Sequence, residues 1–426
     1  MSAAERWREI RGGFQRPFWI ANTTELFERL AYYGPQSVLA VYLTEGLHFT
    51  AVQAGQLIGF YGLVVWFLPI VGGALADRYG FRRTLAGAYL ILTIGYFLLG
   101  SLAADFMAPL RQAVPLYWLV LLVVMVPALG PAVVKPVVVG TTARAAKENV
   151  RSLGYSIYYT IVNIGATLGP IVAFKVRTLV GVENVFRVSA LATLAMFLFT
   201  LAFYDEPDRE SANVTTVAQS FKNLLVVLGN VRFMVFILIF SGFYVMLWQQ
   251  YVALPLFLRG YVDPQAKTEL VIAVDPATVI LFTFAVSVLI RRVPLFAGMT
   301  AGVLISSLSW LILALFASVP MAAVTLFVFA LGEIVASPRL YEYCSRLAPP
   351  GQQGLFMGFS FVPVAIGYFI AGTLGGWLVH HFGEEVHHPT RMWFVVTGVG
   401  LLTTALMVAY DRFLTPIEKQ AIGNGQ

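Results

Sequence analysis

The sequence predicts an all-α polytopic membrane protein with twelve transmembrane helices in two six-helix bundles, and three observations carry that prediction. The 426 residues are 58% apolar and only 12% charged, with a mean hydropathy of +0.77. A soluble domain carries about twice that charged fraction, and a soluble core cannot absorb so many apolar side chains. Runs of about 20 apolar residues, the length needed to cross a bilayer, fill most of the chain. One polar interval divides these runs into two sets of six. Composition thus excludes a soluble enzyme, a nucleic-acid binder and a fibrous protein.

The predicted spans of the first half are 18–46, 52–76, 84–104, 115–142, 151–176 and 184–204. Those of the second half are 231–258, 276–292, 295–318, 320–347, 352–381 and 391–413. Between them lies DEPDRESANVTTVAQSFKNLLVVLGN, a charged stretch read as a cytoplasmic linker with a short surface helix over 217–228. The predicted organisation is therefore a bundle at 1–204, a linker at 205–230 and a second bundle at 231–426.

Orientation follows from the basic residues. With the amino terminus inside, nineteen of the 28 lysines and arginines fall on internal segments, seven on external ones, and Arg29 and Lys135 within spans. That imbalance favours both termini in the cytoplasm of a cell membrane, and it accounts for the formal charge of +6 without an acidic partner. The start, MSAAERWREIRGGFQR, has no apolar stretch after its charges, so the first hydrophobic run is expected to be retained. The single cysteine, Cys344, excludes a disulfide framework and leaves thiol redox chemistry without a second sulfur. Tryptophans near span ends, such as Trp19, Trp118 and Trp393, read as interface anchors.

Charge inside the spans is where the chemistry is expected, because each such group costs roughly 2.5–3.5 kcal/mol at a helix centre. The first span contains ELFERLAYYG. Helical spacing puts Glu25, Glu28, Arg29, Tyr32, Tyr33 and Gln36 on one stripe, which must face the bundle interior or water. The fourth span places Lys135 between Pro131 and Pro136. The fifth puts Tyr159 and Asn163 one turn apart, and the seventh sets Trp248, Gln249, Gln250 and Tyr251 together. Glu333 is the clear intramembrane acid of the second half, while Asp275 and Glu342 read as terminal. Counting Glu25, Glu28 and Glu333 against Arg29 and Lys135 leaves a formal −1. A low-dielectric site resists an uncompensated charge, so one carboxyl is expected to exchange a proton. A membrane enzyme would need a nucleophile with its base or a paired metal motif. There is no HExxH, no GxSxG and no histidine in the charged set, and Ser337 beside Glu333 lacks a base. HHFGEEVHH at 380–388 gathers four of the five histidines near Glu384 and Glu385. It reads as a solvated face interrupted by Gly383 rather than a metal site.

Two turns are alike. ALADRYGFRRTLAG follows the second span and SVLIRRVPLFAG the eighth, each with an arginine pair before an apolar helix. Such paired halves are a transporter architecture. The first turn, from Gly73 through Asp77, Arg78, Gly80 and Arg82 to Arg83, resembles the conserved loop of the major facilitator superfamily. Four further motifs resemble the proton-dependent oligopeptide transporters within it. Glu25 to Gly34 is similar to their ExxER(F)xYYG signature with Leu30 for phenylalanine, Tyr158 to Gly165 to the fifth-helix FYxxINxGS, and Gly130 to Pro136 to the GxxxxKP of the fourth. Gly332-Glu333 with Ser337-Pro338, and Gly354 to Gly358, resemble their tenth and eleventh helices.

The resemblance implies a major facilitator fold with no cofactor other than a proton gradient. It implies proton coupling through Glu25, Glu28, Arg29 and Glu333, and conformational roles for Asp77, Arg78 and Arg82. It further implies a substrate site of Tyr32, Tyr33, Gln36, Tyr61, Lys135, Tyr159, Asn163, Trp248, Gln249, Gln250 and Glu333. Lys135 would meet the substrate carboxylate and Glu333 its amino terminus. The expected function is proton-coupled uptake of di- or tripeptides, with a small-molecule substrate, protons and lipid as the partners and no nucleic acid. The chain departs from the family in having Trp248-Gln249-Gln250 where an acid is usual in the seventh helix, Gln36 for a basic residue, and Ser360 for a tryptophan. It also lacks the two extra helices of many bacterial members. These departures point to the alternative of another small polar or anionic metabolite, or efflux of a drug-like compound.

Overall fold

The structure, a computed structural model, describes residues 12–206, 225–349 and 352–414. Among them the chain is helical throughout, and its β content is the isolated bridge between Phe14 and Ala146. Nine helical runs are long and apolar enough to cross a membrane by composition alone. Three more complete the twelve. The run at Arg16–Val41 carries four charged residues, the second span is broken into Ala51–Phe67 and Pro69–Tyr79, and the third is Phe81–Leu99.

Proline explains most of the breaks, because it lacks an N–H and clashes with the preceding turn. The fourth span is interrupted between Ala128 and Pro131, the seventh between Trp248 and Ala253, and the eleventh between Phe359 and Val362. Gly80, with φ of 87°, makes the tight corner between the second and third spans, a conformation that side-chain-bearing residues avoid.

Several boundaries differ from the sequence reading. The eighth span begins at Thr268 and runs to Leu289, because Glu269 and Asp275 interrupt the hydrophobic signal over its first two turns. Trp393 is not an interface anchor: it is fully buried and stacks on Trp310 at 4.8 Å, while Trp19 and Trp118 are exposed as expected. Gly383 does not break its helix, since a helical turn continues from Val379 to Glu385. Of the surface helix expected over 217–228, residues 217–224 lie outside the described residues and 225–228 are helical.

The chain divides into two compact units, Met1–Leu47 with Val64–Phe221, and His48–Leu63 with Lys222–Gln426. In the first unit the first and fifth spans meet along glycines. A Cβ on Gly169 would lie 2.9 Å from the Gly34 nitrogen, and one on Gly165 would strike the Arg29 Cβ. Small residues let membrane helices approach this closely, and the approach fixes where Arg29 stands. Thr93 and Thr193 join the third and sixth spans at 3.1 Å. In the second unit, Gly302 and Gly332 play the same part between the ninth and tenth spans, where Ser306 donates to the Phe329 carbonyl at 3.0 Å. A ring cluster of Phe236, Phe296, Tyr343 and Tyr410 fills one end of that unit.

Gly165→Val should therefore overpack the first unit and destabilise it by about 1–3 kcal/mol. It should lower the thermal unfolding midpoint in detergent. Gly87→Ala, at an open helical position, should leave the midpoint unchanged or slightly raised.

Candidate functional site

The first-span stripe is buried almost completely. Glu25, Glu28, Arg29, Tyr32 and Gln36 are each at most 2% exposed, and Tyr33 is half-buried. Arg29 Nε lies 3.1 Å from Glu25 Oε1, its terminal nitrogen pairs with Glu28 Oε2, and its guanidinium carbon sits 5.3 Å from the Tyr32 ring centre. One fork-shaped cation thus serves two carboxylates, a geometry that a point-charge lysine could not reproduce. Lys135 feels the charges of Arg29, Glu25 and Glu28. Its Nζ stands 3.2 Å from the centre of the Trp66 ring. An ammonium over an indole face is a favourable desolvated contact. Neither amide atom of Gln36 has a hydrogen-bond partner among the described residues.

Three residues of this cluster were not singled out from the sequence. Trp66 carries no sequence signal separating it from the other tryptophans. Tyr89 of the third span is fully buried beside Thr24 and the first-span charges. Tyr158 is the fifth-span tyrosine that stands among Glu25, Glu28, Arg29 and Tyr33. Its neighbour Tyr159 is 49% exposed, and the Asn163 amide donates to the Tyr159 carbonyl at 2.9 Å. A signal existed here, since Tyr158 lies two turns before Gly165 and shares its face.

The loop after the second span is built around Glu206. The carboxylate of Glu206 accepts from the first-turn N–H groups of Phe81 at 2.6 Å and Arg82 at 3.0 Å, as expected of an anion at a helix amino terminus. The Arg82 guanidinium donates to the Leu201 carbonyl, and Arg144 lies over the Phe81 ring at 4.3 Å. Arg78 is exposed over Tyr79. The Asp77 side chain lies outside the described residues.

In the second unit, Tyr61 is buried, and Trp248 stacks face to face on Tyr368 at 3.9 Å. The two glutamines are committed to neighbouring helices. Gln249 Nε2 donates to the Ala371 carbonyl at 3.2 Å, and Gln250 Nε2 donates to Asp275 Oδ2 at 2.8 Å. Asp275 is not a solvated terminal acid. It is 5% exposed, and its hydrogen-bond donor is the Gln250 amide. In the 380–388 segment, His380 and His381 each pair with the glutamate four residues on, at 2.6 Å, on an exposed surface.

A family model described as Major Facilitator Superfamily matches residues 24–359. Among curated relatives, "Multidrug resistance protein MdtH" of Yersinia pestis (strain Pestoides F) is 24% identical over 370 residues, covering 86% of this chain and 88% of that protein. The protein of the same name from Yersinia pseudotuberculosis serotype O:1b (strain IP 31758) matches equally. Among solved structures, a POT family transporter in complex with a thioalcohol conjugated peptide aligns with a TM-score of 0.77 at 19% identity, over 93% of this chain and 96% of that one. A POT family transporter in complex with 5-aminolevulinic acid aligns at 0.76 and 18%, over 93% and 96%. The POT family transporter PepTSo aligns at 0.75 and 16%, over 93% and 98%. These likenesses show the fold.

Arg29→Leu would leave two buried carboxylates without their fork, a defect that costs about 3–5 kcal/mol where one partner of a buried pair is removed. The loss should deepen as pH rises, because protonation of the stranded acids relieves it. Adding Glu25→Gln and Glu28→Gln should recover much of the unfolding midpoint. A midpoint unmoved by Arg29→Leu at every pH would show that the pairing contributes nothing.

Proposed function

The chain belongs to the major facilitator superfamily, and we propose that it is a proton-coupled symporter that takes up di- and tripeptides by alternating access. The chain is a membrane-embedded transporter and not an enzyme; the substrate and the coupling are the proposal. The observation that carries it is the first-span cluster, in which Glu25 and Glu28 share Arg29 out of contact with solvent. A charge set of that kind is too costly for a structural filler. A carboxyl that gives up its share of Arg29 on protonation is a physical basis for coupling.

In this reading Glu25, Glu28 and Arg29 carry the coupling. Lys135, resting over Trp66, turns its ammonium to the substrate carboxylate, and Glu333 receives the substrate amino group. Tyr32, Tyr33, Gln36 and Tyr61 add polar and aromatic wall, with Tyr158 beside Tyr159 and Asn163. The unpartnered amide of Gln36 is available to a polar ligand. Trp248 contributes a ring face, while Gln249 and Gln250 act mainly through the helices they hold. Asp77, Arg78 and Arg82 belong to the turn that changes shape between states, with Glu206 as the anion that turn needs. The protein sits in the cell membrane with both termini cytoplasmic, as the basic residues favour. The solved relatives holding a peptide conjugate and 5-aminolevulinic acid support small zwitterions as the substrate class.

A second reading, efflux of drug-like compounds, is favoured by the name of the curated relatives, which match more closely in sequence than the peptide transporters do. The stacked Trp248 and Tyr368 rings and the absence of a seventh-span acid suit an apolar ligand.

The test uses purified protein in liposomes with an inward proton gradient and a pH-sensitive dye inside. Dipeptides, amino acids, small organic acids and a lipophilic cation are added in turn. Acidification is expected with dipeptides; a response to the lipophilic cation alone would replace uptake by efflux. Glu28→Gln should abolish gradient-driven uptake and spare counterflow exchange. Lys135→Ala should weaken binding of carboxylate-bearing substrates at least tenfold, and unchanged affinity would remove Lys135 from the site.

A further inference from the structure

Two membrane spans of the second unit are interrupted, and the interruptions meet. The seventh span stops at Trp248 and resumes at Ala253, with Gln250 in the non-helical turn between them. The eighth is interrupted at Ala273, and Asp275 stands in the first turn of its second piece, Val274–Leu289. Gln250 Nε2 donates to Asp275 Oδ2 at 2.8 Å and so joins the two breaks. Transporters build substrate sites at discontinuous helices of this kind, because irregular backbone within a membrane is tolerated where it lines a cavity.

That one bond leaves two acceptors over. Asp275 Oδ1 and Gln250 Oε1 are both buried, and neither finds a donor among the described residues. The residues that carry them are 5% and 1% exposed, so bulk water is kept away as well. A carboxylate placed in this way needs positive charge close by, since burying an unpaired one costs far more than burying a neutral group. The adjoining helices do not bring it. Val274–Leu289 has no basic residue, nor has the seventh span between Arg232 and Gln250. Lys267 stands before the eighth span, eight residues from Asp275. Arg339 of the tenth span donates to the Val335 and Ile290 carbonyls, and Arg259 to that of Ala266.

The chemistry of the gap is specific. An ammonium group carries three N–H donors, no acceptor and one positive charge, which is what two spare oxygens and an uncompensated carboxylate lack. A divalent metal ion is less suited, because Ca2+ and Mg2+ take six or more ligands. We propose that Asp275 Oδ1 and Gln250 Oε1 form an ammonium-binding site of the second unit and close on the amino group of a small zwitterionic substrate. Two of the three N–H groups go to these oxygens, and the third is left to Glu333. Ala330 and Ile334, on either side of Glu333 in the tenth span, pack with Val279, one turn on from Asp275. The bond from Gln250 Nε2 to Oδ2 holds the carboxylate still, so the amide both positions the acid and binds beside it. The site is closed to solvent as it stands, and the substrate enters before the two breaks come together. The substrate class rests on the uptake reading above; the preference for cations that bear N–H groups does not.

Equilibrium binding to the purified protein tests the site with pairs of ligands that differ at the nitrogen. Dialanine is compared with N-acetyl-dialanine, and benzylammonium with benzyltrimethylammonium. The parent should prefer the first of each pair at least tenfold, the scale of a charge-assisted hydrogen bond. Asp275→Asn should erase most of that preference, and the weakening should fall on the ammonium ligands and spare their partners. An equal loss for both members of a pair, or a preference that survives the substitution, would overturn the site. Should Asp275→Asn fail to fold, Gln250→Leu must narrow the same ratios at least threefold, and unmoved ratios overturn the site equally. A parent that prefers benzylammonium yet ignores dialanine would sustain the site and remove peptides as its substrate. A parent with neither preference overturns the site itself.

Discussion

Charge compensation within a few ångströms is the constraint on which the rest of this structure depends. A membrane interior offers no water to spread a charge, so each ionised group must find its counterpart locally or give up its ionisation. The first unit meets that demand with opposite charges: Glu25 and Glu28 divide Arg29, and Lys135 adds a second cation backed by the Trp66 face. Its four charged groups sum to zero. The second unit buries Asp275 beside an amide, with Gln250 Nε2 donating to its Oδ2 at 2.8 Å. The sequence count of −1 left out Glu269 and Asp275, because the predicted eighth span began at 276 and Asp275 was read as terminal.

Much of the fold was legible because it is governed by length and periodicity. Twelve apolar runs, a polar interval and an arginine pair at matching places in each half are properties of the chain itself. The first-span stripe was legible for the same reason: residues spaced three and four apart on a helix must share a face, and six polar residues on one face of a membrane helix have to turn inward. What the sequence could not show was phase between helices. Tyr158 and Tyr159 are adjacent, and only the close approach of Gly165 to Arg29 decides which of them meets the charges. Trp393 stands at a span end like an interface anchor, yet Trp310 of the ninth span lies parallel to it and draws it into the core. Asp275 went unrecognised because polar residues at the beginning of a span erase the very signal by which spans are located.

The glutamines at 249 and 250 show how a residue's role depends on what it touches. In the sequence they read as a polar wall replacing a missing acid. In the structure each carries one helix-to-helix bond. Gln249 holds the seventh span to a backbone carbonyl of the eleventh, beside Gly375, where a side chain would strike its Oε1. Gln250 holds the seventh span to Asp275. A glutamate at 250 would set one carboxylate against another, whereas the amide donates to Asp275 Oδ2. Seen this way, the amide at 250 and the acid at 275 are two parts of one arrangement, and the loss of charge on one helix is linked to its presence on the next.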